Sequence, residues 1–194
     1  METPIEMNSP QEPLKDQTQV AIVEAAFTPE ECTRLVADLD KHLQPATVEG
    51  LDAAGSAGIR KSSAVFVFPD ASTNWVFERL RRAIDEINEA VYGFDVGEFK
   101  EGFQFTRYEV GEHYKPHFDI GPGLLAERKL SMTVQLSLPD AYTGGELVVY
   151  PEFIAPKEQG TMTVFPSFMC HGVRPVKTGT RYSLVSWLAG PPFR

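Results

Sequence analysis

The chain has 194 residues, 42% of them hydrophobic, a formal net charge of -9 and two cysteines. That is enough apolar side chain for one globular domain, and no apolar run reaches the length of a membrane span. The acidic balance argues against a general nucleic-acid binder, which carries a basic footprint. Two cysteines make no disulfide framework, so Cys32 and Cys170 read as reduced core residues.

Residues 1–19 are rich in Pro, Glu, Gln and Lys and read as a flexible leader, with residues 20–194 forming a single domain. The start lacks the basic and apolar regions of a secretory signal, which points to the cytoplasm. Residues 20–23 read as a first strand. Thr28, Pro29 and Glu31 then spell a capping box with proline at the first helical position. Cys32, Leu35, Val36, Leu39 and Leu43 follow at helical spacing and predict one buried face. His42 has no partner at ligand spacing and reads as a surface residue.

Glycine and alanine dominate residues 46–58, which predicts a mobile loop, and residues 64–68 predict a strand. A second helix, capped by Ser72 or Thr73, should bury Val76, Leu80, Ala83, Ile84, Ile87 and Val91. Its Arg79, Arg81 and Arg82 alternate with Glu78, Asp85 and Glu86, the pattern of a solvated face. Residues 99–108 predict a strand on which Gln104, Thr106 and Tyr108 share a face; Gln104 thereby becomes a candidate for a pocket lining. A glycine-rich break at 121–125 should be a loop over the site and, through 128, a mobile one. Strands over 130–138 and 146–150 come next, and short strands separated by turns continue to Trp187. The expected architecture is mainly β with flanking helices, a double-stranded β-helix or jelly roll.

Chemistry concentrates between Tyr108 and Trp187. His117 and Asp119 are two residues apart, which on an extended strand projects both to one face. His171 is the candidate third ligand if a closed β architecture returns it beside them. Two histidines and one carboxylate leave open positions on a metal, the arrangement of non-haem Fe(II) oxygenases. Farther on, Arg181 and Ser183 share a strand face and together can grip a carboxylate, because a guanidinium makes two parallel charge-assisted bonds. With the upstream ligands, that pair suggests a dicarboxylate cosubstrate held by its far end.

Four stretches then resemble one family, the Fe(II)/2-oxoglutarate-dependent dioxygenases, in their prolyl 4-hydroxylase-like branch. They are Arg107 to Asp119, Gly144-Gly145-Glu146-Leu147, Phe165-Pro166-Ser167 leading to His171, and Gly179-Thr180-Arg181-Tyr182-Ser183 with Trp187. The resemblance implies iron on His117, Asp119 and His171, and Arg181, Tyr108 and Ser183 on the distal carboxylate of 2-oxoglutarate. It further implies O2 as oxidant, ascorbate as a stimulant, and a prolyl or other peptide, amino-acid or small-metabolite substrate; the charge and the lack of a long apolar run point to neither nucleic acid nor membrane as partner. Two positions depart from its relatives. Arg181 stands where collagen-type enzymes usually carry Lys, and Gln135 stands where many carry Tyr. In relatives the region of Arg60 borders the substrate entrance, so Arg60, Gln104 and Gln135 are candidates for the substrate pocket; a solvated strand edge is the other reading of Arg60. The retained Asp119 disfavours halogenation, because related halogenases vacate that position. A non-catalytic jelly-roll sensor is the alternative from another class.

Overall fold

A computed structural model describes residues 15–48, 55, 56 and 58–193. Residues 1–14 of the expected leader, and 49–54 and 57 of the expected glycine-rich loop, lie outside the described residues. At the near end of the leader, the Gln17 side chain donates to the Tyr92 carbonyl, and the Tyr92 hydroxyl donates to the Gln19 carbonyl.

Helix α1 spans Pro29–Leu39, and its capping box forms as read: the Glu31 N–H donates to the Thr28 hydroxyl and the Thr28 N–H to the Glu31 carboxylate. Helix α2 spans Asn74–Ile87. Its start differs from expectation, since Thr73 is at the cap position but makes no capping bond. The Thr73 hydroxyl instead bonds the Phe68 carbonyl, and Asp70 accepts the backbone N–H groups of Ser72 and Thr73. Phe77 joins Val76, Leu80 and Ile84 in the buried stripe, and Arg79 is tied to Glu31 of α1 by a two-pronged ion pair rather than left in solvent.

Strands β1 (Ala21–Val23), β2 (Gln44–Pro45), β4 (Ser63–Val67), β5 (Phe103–Tyr108), β7 (Arg128–Gln135), β11 (Met162–Pro166) and β14 (Arg181–Ala189) form an antiparallel sheet in the order β1-β11-β7-β14-β5-β4-β2. The smaller sheet has the order β10-β9-β12-β6-β3, from β3 (Arg60–Lys61), β6 (His113–His117), β9 (Leu147–Val149), β10 (Phe153–Ile154) and β12 (His171–Val173). A separate pair joins β8 (Tyr142–Gly144) to β13 (Val176–Gly179). The fold is a jelly roll with both helices on the outer face of the large sheet.

Alternation along the central strands decides what lies on each face. Leu130, Met132 and Val134 of β7, Phe103 and Phe105 of β5, Leu184 and Leu188 of β14 and Met162 and Val164 of β11 pack with Cys32 and Leu35 of α1 and Val76, Leu80 and Ile84 of α2. Each such side chain contributes roughly 1.5–3 kcal/mol by leaving water. The intervening residues of the same strands are polar and also buried, among them Ser131, Thr133, Gln135, Gln104, Thr106, Arg181 and Ser183. They face the small sheet, so the interior of the roll is a polar chamber behind a hydrophobic wall.

Several boundaries moved for physical reasons. Strand β5 starts at Phe103 rather than 99, because Phe99 turns aside to pack edge-on against Phe77 at 5.7 Å. Strand β7 runs Arg128–Gln135, earlier than the expected 130–138, and the break after Asp119 includes a 3-10 turn at Gly123–Glu127. Cys32 is buried, whereas Cys170 is only half-buried. His42 is exposed as read.

Candidate active site

His117 closes β6 and His171 opens β12, and the register pairs the two residues directly across the small sheet. A bulge follows immediately, between His171 and Val173. Only glycine fits between them: a Cβ on Gly172 would lie 2.9 Å from the Tyr114 carbonyl oxygen. The two imidazoles tilt together with ring centres 4.3 Å apart; His117 stacks on Tyr114 at 3.6 Å and His171 packs on Phe165 at 4.6 Å. Asp119 follows the strand, held by its N–H to the Ser167 carbonyl. One ligand atom from each of His117, Asp119 and His171 falls within 4.8 Å of the others.

The hydrogen bonds behind these atoms orient them. His117 Nδ1 lies 2.9 Å from the Lys115 carbonyl and His171 Nδ1 lies 3.0 Å from the Met169 carbonyl. A carbonyl can only accept, so each Nδ1 carries a proton, and in the neutral ring each Nε2 presents a lone pair. Those lone pairs face the Asp119 carboxylate, at 3.7 Å from His117 and 3.3 Å from His171. Acceptor facing acceptor is unfavourable in a buried site unless a cation sits among them, and this donor set suits a divalent metal with open positions.

Burial and the neighbouring His171 push the His117 imidazole down to about 4, which keeps it neutral and able to ligate at pH 7. Burial alone would raise Asp119, but His171, His117, the Ser131 hydroxyl and Arg128 outweigh it and hold the carboxyl below its ordinary value. Ser131 donates to Asp119 Oδ2 at 2.6 Å and lies 2.9 Å from the Ser167 hydroxyl. Arg128 forks onto Glu101 at 2.7 and 2.5 Å, donates to the Asp119 carbonyl at 3.2 Å, and lies 3.8 Å over the Trp187 ring. Sequence reasoning missed Ser131, Ser167, Arg128 and Glu101. The available signal was a serine, a threonine and a glutamine alternating with apolar residues on one strand, β7.

Arg181, Tyr108 and Ser183 gather deeper in the roll. Arg181 pairs across the sheet with Tyr108, and Ser183 stands between Thr106 and Gln135. All four of Arg181, Ser183, Tyr108 and Gln135 are buried. Arg181 donates to Ser183 Oγ at 3.4 Å, and among the described residues it has no ion-pair partner. It opens onto a narrow cleft with Thr133, Gln135, Tyr142 and Thr163, which Glu146 and Lys157 also line. Burial raises the Tyr142 phenol and the Arg181 charge opposes the rise, which places that hydroxyl beside the guanidinium. Tyr142 opens strand β8. Gly145 lets the turn pass under the arginine stem, where a Cβ would lie 2.8 Å from Val176 and 3.4 Å from Arg181 Cδ.

The three candidate pocket residues separate. Arg60 of the small sheet donates to Gln104 of the large sheet at 2.8 Å, so these two meet across the interior. Gln135 does not join them and lines the Arg181 cleft. His113 is half-buried, with Nδ1 3.3 Å from the Gly111 carbonyl, and is not in the triad.

Residues 103–189, which carry the triad and Arg181, match the family model described as the 2OG-Fe(II) oxygenase superfamily. This stretch is a 2OG-Fe(II) oxygenase domain. Curated relatives of the oxygenase domain include a PKHD-type hydroxylase of Janthinobacterium sp. (strain Marseille), 41% identical over 93 residues, covering 43% of this chain and 41% of that protein. Another, PKHD-type hydroxylase PCC8801_2196 of Rippkaea orientalis, is 39% identical over 90 residues, covering 43% and 40%. The chain thus spans less than half the length of the curated relatives it matches. Among solved structures, a Pseudomonas putida prolyl-4-hydroxylase superposes with a TM-score of 0.71 at 20% identity, covering 90% of this chain and 94% of that one. The viral collagen prolyl hydroxylase of Paramecium bursaria Chlorella virus-1, in complex with 2OG, gives 0.69 at 19% identity, covering 89% and 96%. These likenesses establish the prolyl-hydroxylase-like jelly roll.

Proposed function

We propose that the chain is an Fe(II)- and 2-oxoglutarate-dependent dioxygenase that hydroxylates an unactivated C–H bond of a peptide, amino-acid or small-metabolite substrate. The observation that carries this reading is the pairing of the His117, Asp119 and His171 cluster with a buried Arg181 that has no ion-pair partner among the described residues. A sensor module would have no use for the second element.

His117, Asp119 and His171 would hold the iron, with Ser131 and Arg128 keeping the carboxylate in place. Arg181 would take the far carboxylate of 2-oxoglutarate with Ser183 and Tyr108, and Tyr142 and Gln135 would wall the same cleft. When bound, the iron and cosubstrate supply a two-electron oxidation in which O2 converts C–H to C–OH while 2-oxoglutarate becomes succinate and CO2. The protein contributes placement, a dry chamber and charge. Ascorbate should stimulate turnover, the cytoplasm is the expected compartment, and residues 20–194 are the expected domain. No helix among the described residues is long and apolar enough to cross a membrane.

The test is an anaerobic titration with Fe(II) and 2-oxoglutarate followed by exposure to air. The oxygenase reading requires the weak visible band of the metal–cosubstrate complex and then succinate formation; a protein that binds metal but gives neither is the sensor.

A further inference from the structure

Arg60 is only 7% exposed, yet no carboxylate lies within ion-pair distance of it among the described residues. Burying a guanidinium is expensive unless something compensates the charge, and arginine cannot shed its proton. Among the described residues only neutral groups surround it. Arg60 Nε donates to the Ser62 hydroxyl at 2.9 Å, Nη2 donates to Gln104 Oε1 at 2.8 Å, and the guanidinium carbon lies 4.9 Å over the Tyr114 ring. These contacts fix the plane of the fork without neutralising it. Among the described residues two of the five N–H groups meet an acceptor, and of the other three two are on Nη1 and one on Nη2, the pair of nitrogens that can hold a carboxylate in two parallel bonds.

Position makes that free end relevant to the chemistry. Arg60 pairs in register with Tyr114, and Tyr114 stacks on His117, so the guanidinium belongs to the same chamber as the triad. A second unused donor lies on the facing wall. Trp187 Nε1 is buried without a hydrogen-bond partner, and Trp187 shares a face of β14 with Val185, the residue opposite Gln104. The charges of the filled site agree. Among the described residues, a divalent metal and Arg181 balance Asp119 and a dicarboxylate, Arg128 is balanced by Glu101, Glu146 and Lys157 of the Arg181 cleft carry opposite charges, and Arg60 is left without a counter-charge.

We propose that the substrate supplies the missing charge: it carries a carboxylate, which Arg60 binds end-on so that the neighbouring carbon skeleton lies over the metal. The inference rests on the oxygenase reading and adds the substrate class to it. Either a free carboxylic acid or the C-terminus of a peptide would present this group.

The full chain, loaded with redox-inert Zn(II) and 2-oxoglutarate, is tested by thermal shift and calorimetry against the common L-amino acids, their carboxamides, and N-acetylated dipeptides ending in the same residues. At least one acid or dipeptide should bind, its carboxamide should bind roughly thirtyfold more weakly or worse, and Arg60→Gln should lose the same factor. Arg60→Lys should recover part of it, which separates lost charge from misfolding. Free acids and dipeptides, compared side by side, identify the source of the carboxylate. Three results overturn the proposal: no acid binds, the carboxamides bind equally well, or Arg60→Gln binds the acid unchanged. It is also overturned if Arg60→Gln weakens 2-oxoglutarate as much as Arg181→Ala does, because Arg60 would then serve the cosubstrate and the oxygenase reading would survive. Failure of the wild type to bind Zn(II) and 2-oxoglutarate at all would remove the oxygenase reading instead.

Discussion

Replacing Arg181 with alanine isolates the cosubstrate anchor from the metal. The side chain is 3% exposed, so solvent does not screen its charge, and it meets only neutral hydroxyls among the described residues, Ser183 Oγ at 3.4 Å and that of Tyr142. Nearly all of its charge is therefore available to a bound carboxylate. Truncating one partner of a buried charge-assisted pair costs about 2–5 kcal/mol, so the apparent affinity for 2-oxoglutarate should fall by roughly thirtyfold to several-thousandfold. Lysine should recover part of this, keeping the charge without the fork. Ser183→Ala should cost less, since a neutral hydroxyl makes the weaker bond. Metal affinity should stay unchanged in all three, because the triad lies on other strands. The assay is succinate formation against 2-oxoglutarate concentration at saturating iron, with cosubstrate binding followed by calorimetry. An unchanged midpoint in Arg181→Ala would refute the assignment of the anchor even with all three metal ligands confirmed.

His117→Ala, Asp119→Ala and His171→Ala should each abolish turnover and metal binding while the far-UV circular dichroism keeps its native shape; wild-type metal affinity in any one removes that residue from the ligand set. Ser131→Ala takes away the 2.6 Å bond that orients Asp119 and should weaken metal binding about tenfold or more, read by competition with a chelating dye. In metal-free protein, His117 titrates at about 4 when folded, below its ordinary 6.5. The unfolded chain then binds the extra proton between those values, so stability should be full above about pH 6.5 and fall as pH drops toward 4. Urea midpoints across that range should show this slope, and His117→Gln should flatten it.

Local features were legible in the sequence because their physics is local. The Thr28 capping box, the helical stripe of α2 and the shared face of His117 and Asp119 each need only a few consecutive residues. So did the alternation that makes Gln104, Thr106 and Tyr108 one wall. The fold class followed from many short alternating strands, and the candidate site residues were proposed from motifs in a recognisable order. What the sequence could not supply was which distant residues touch. That His171 stands opposite His117 is a property of the β6–β12 register, that Ser131 holds Asp119 depends on a strand packed across the chamber, and that Arg60 meets Gln104 depends on the spacing of two sheets. The same is true of Gln135, whose place beside Arg181 rather than Arg60 is set by the β7–β14 pairing. A residue's type limits the bonds it can make, but partners far apart along the chain are chosen only when the sheets close and the buried polar groups must find each other.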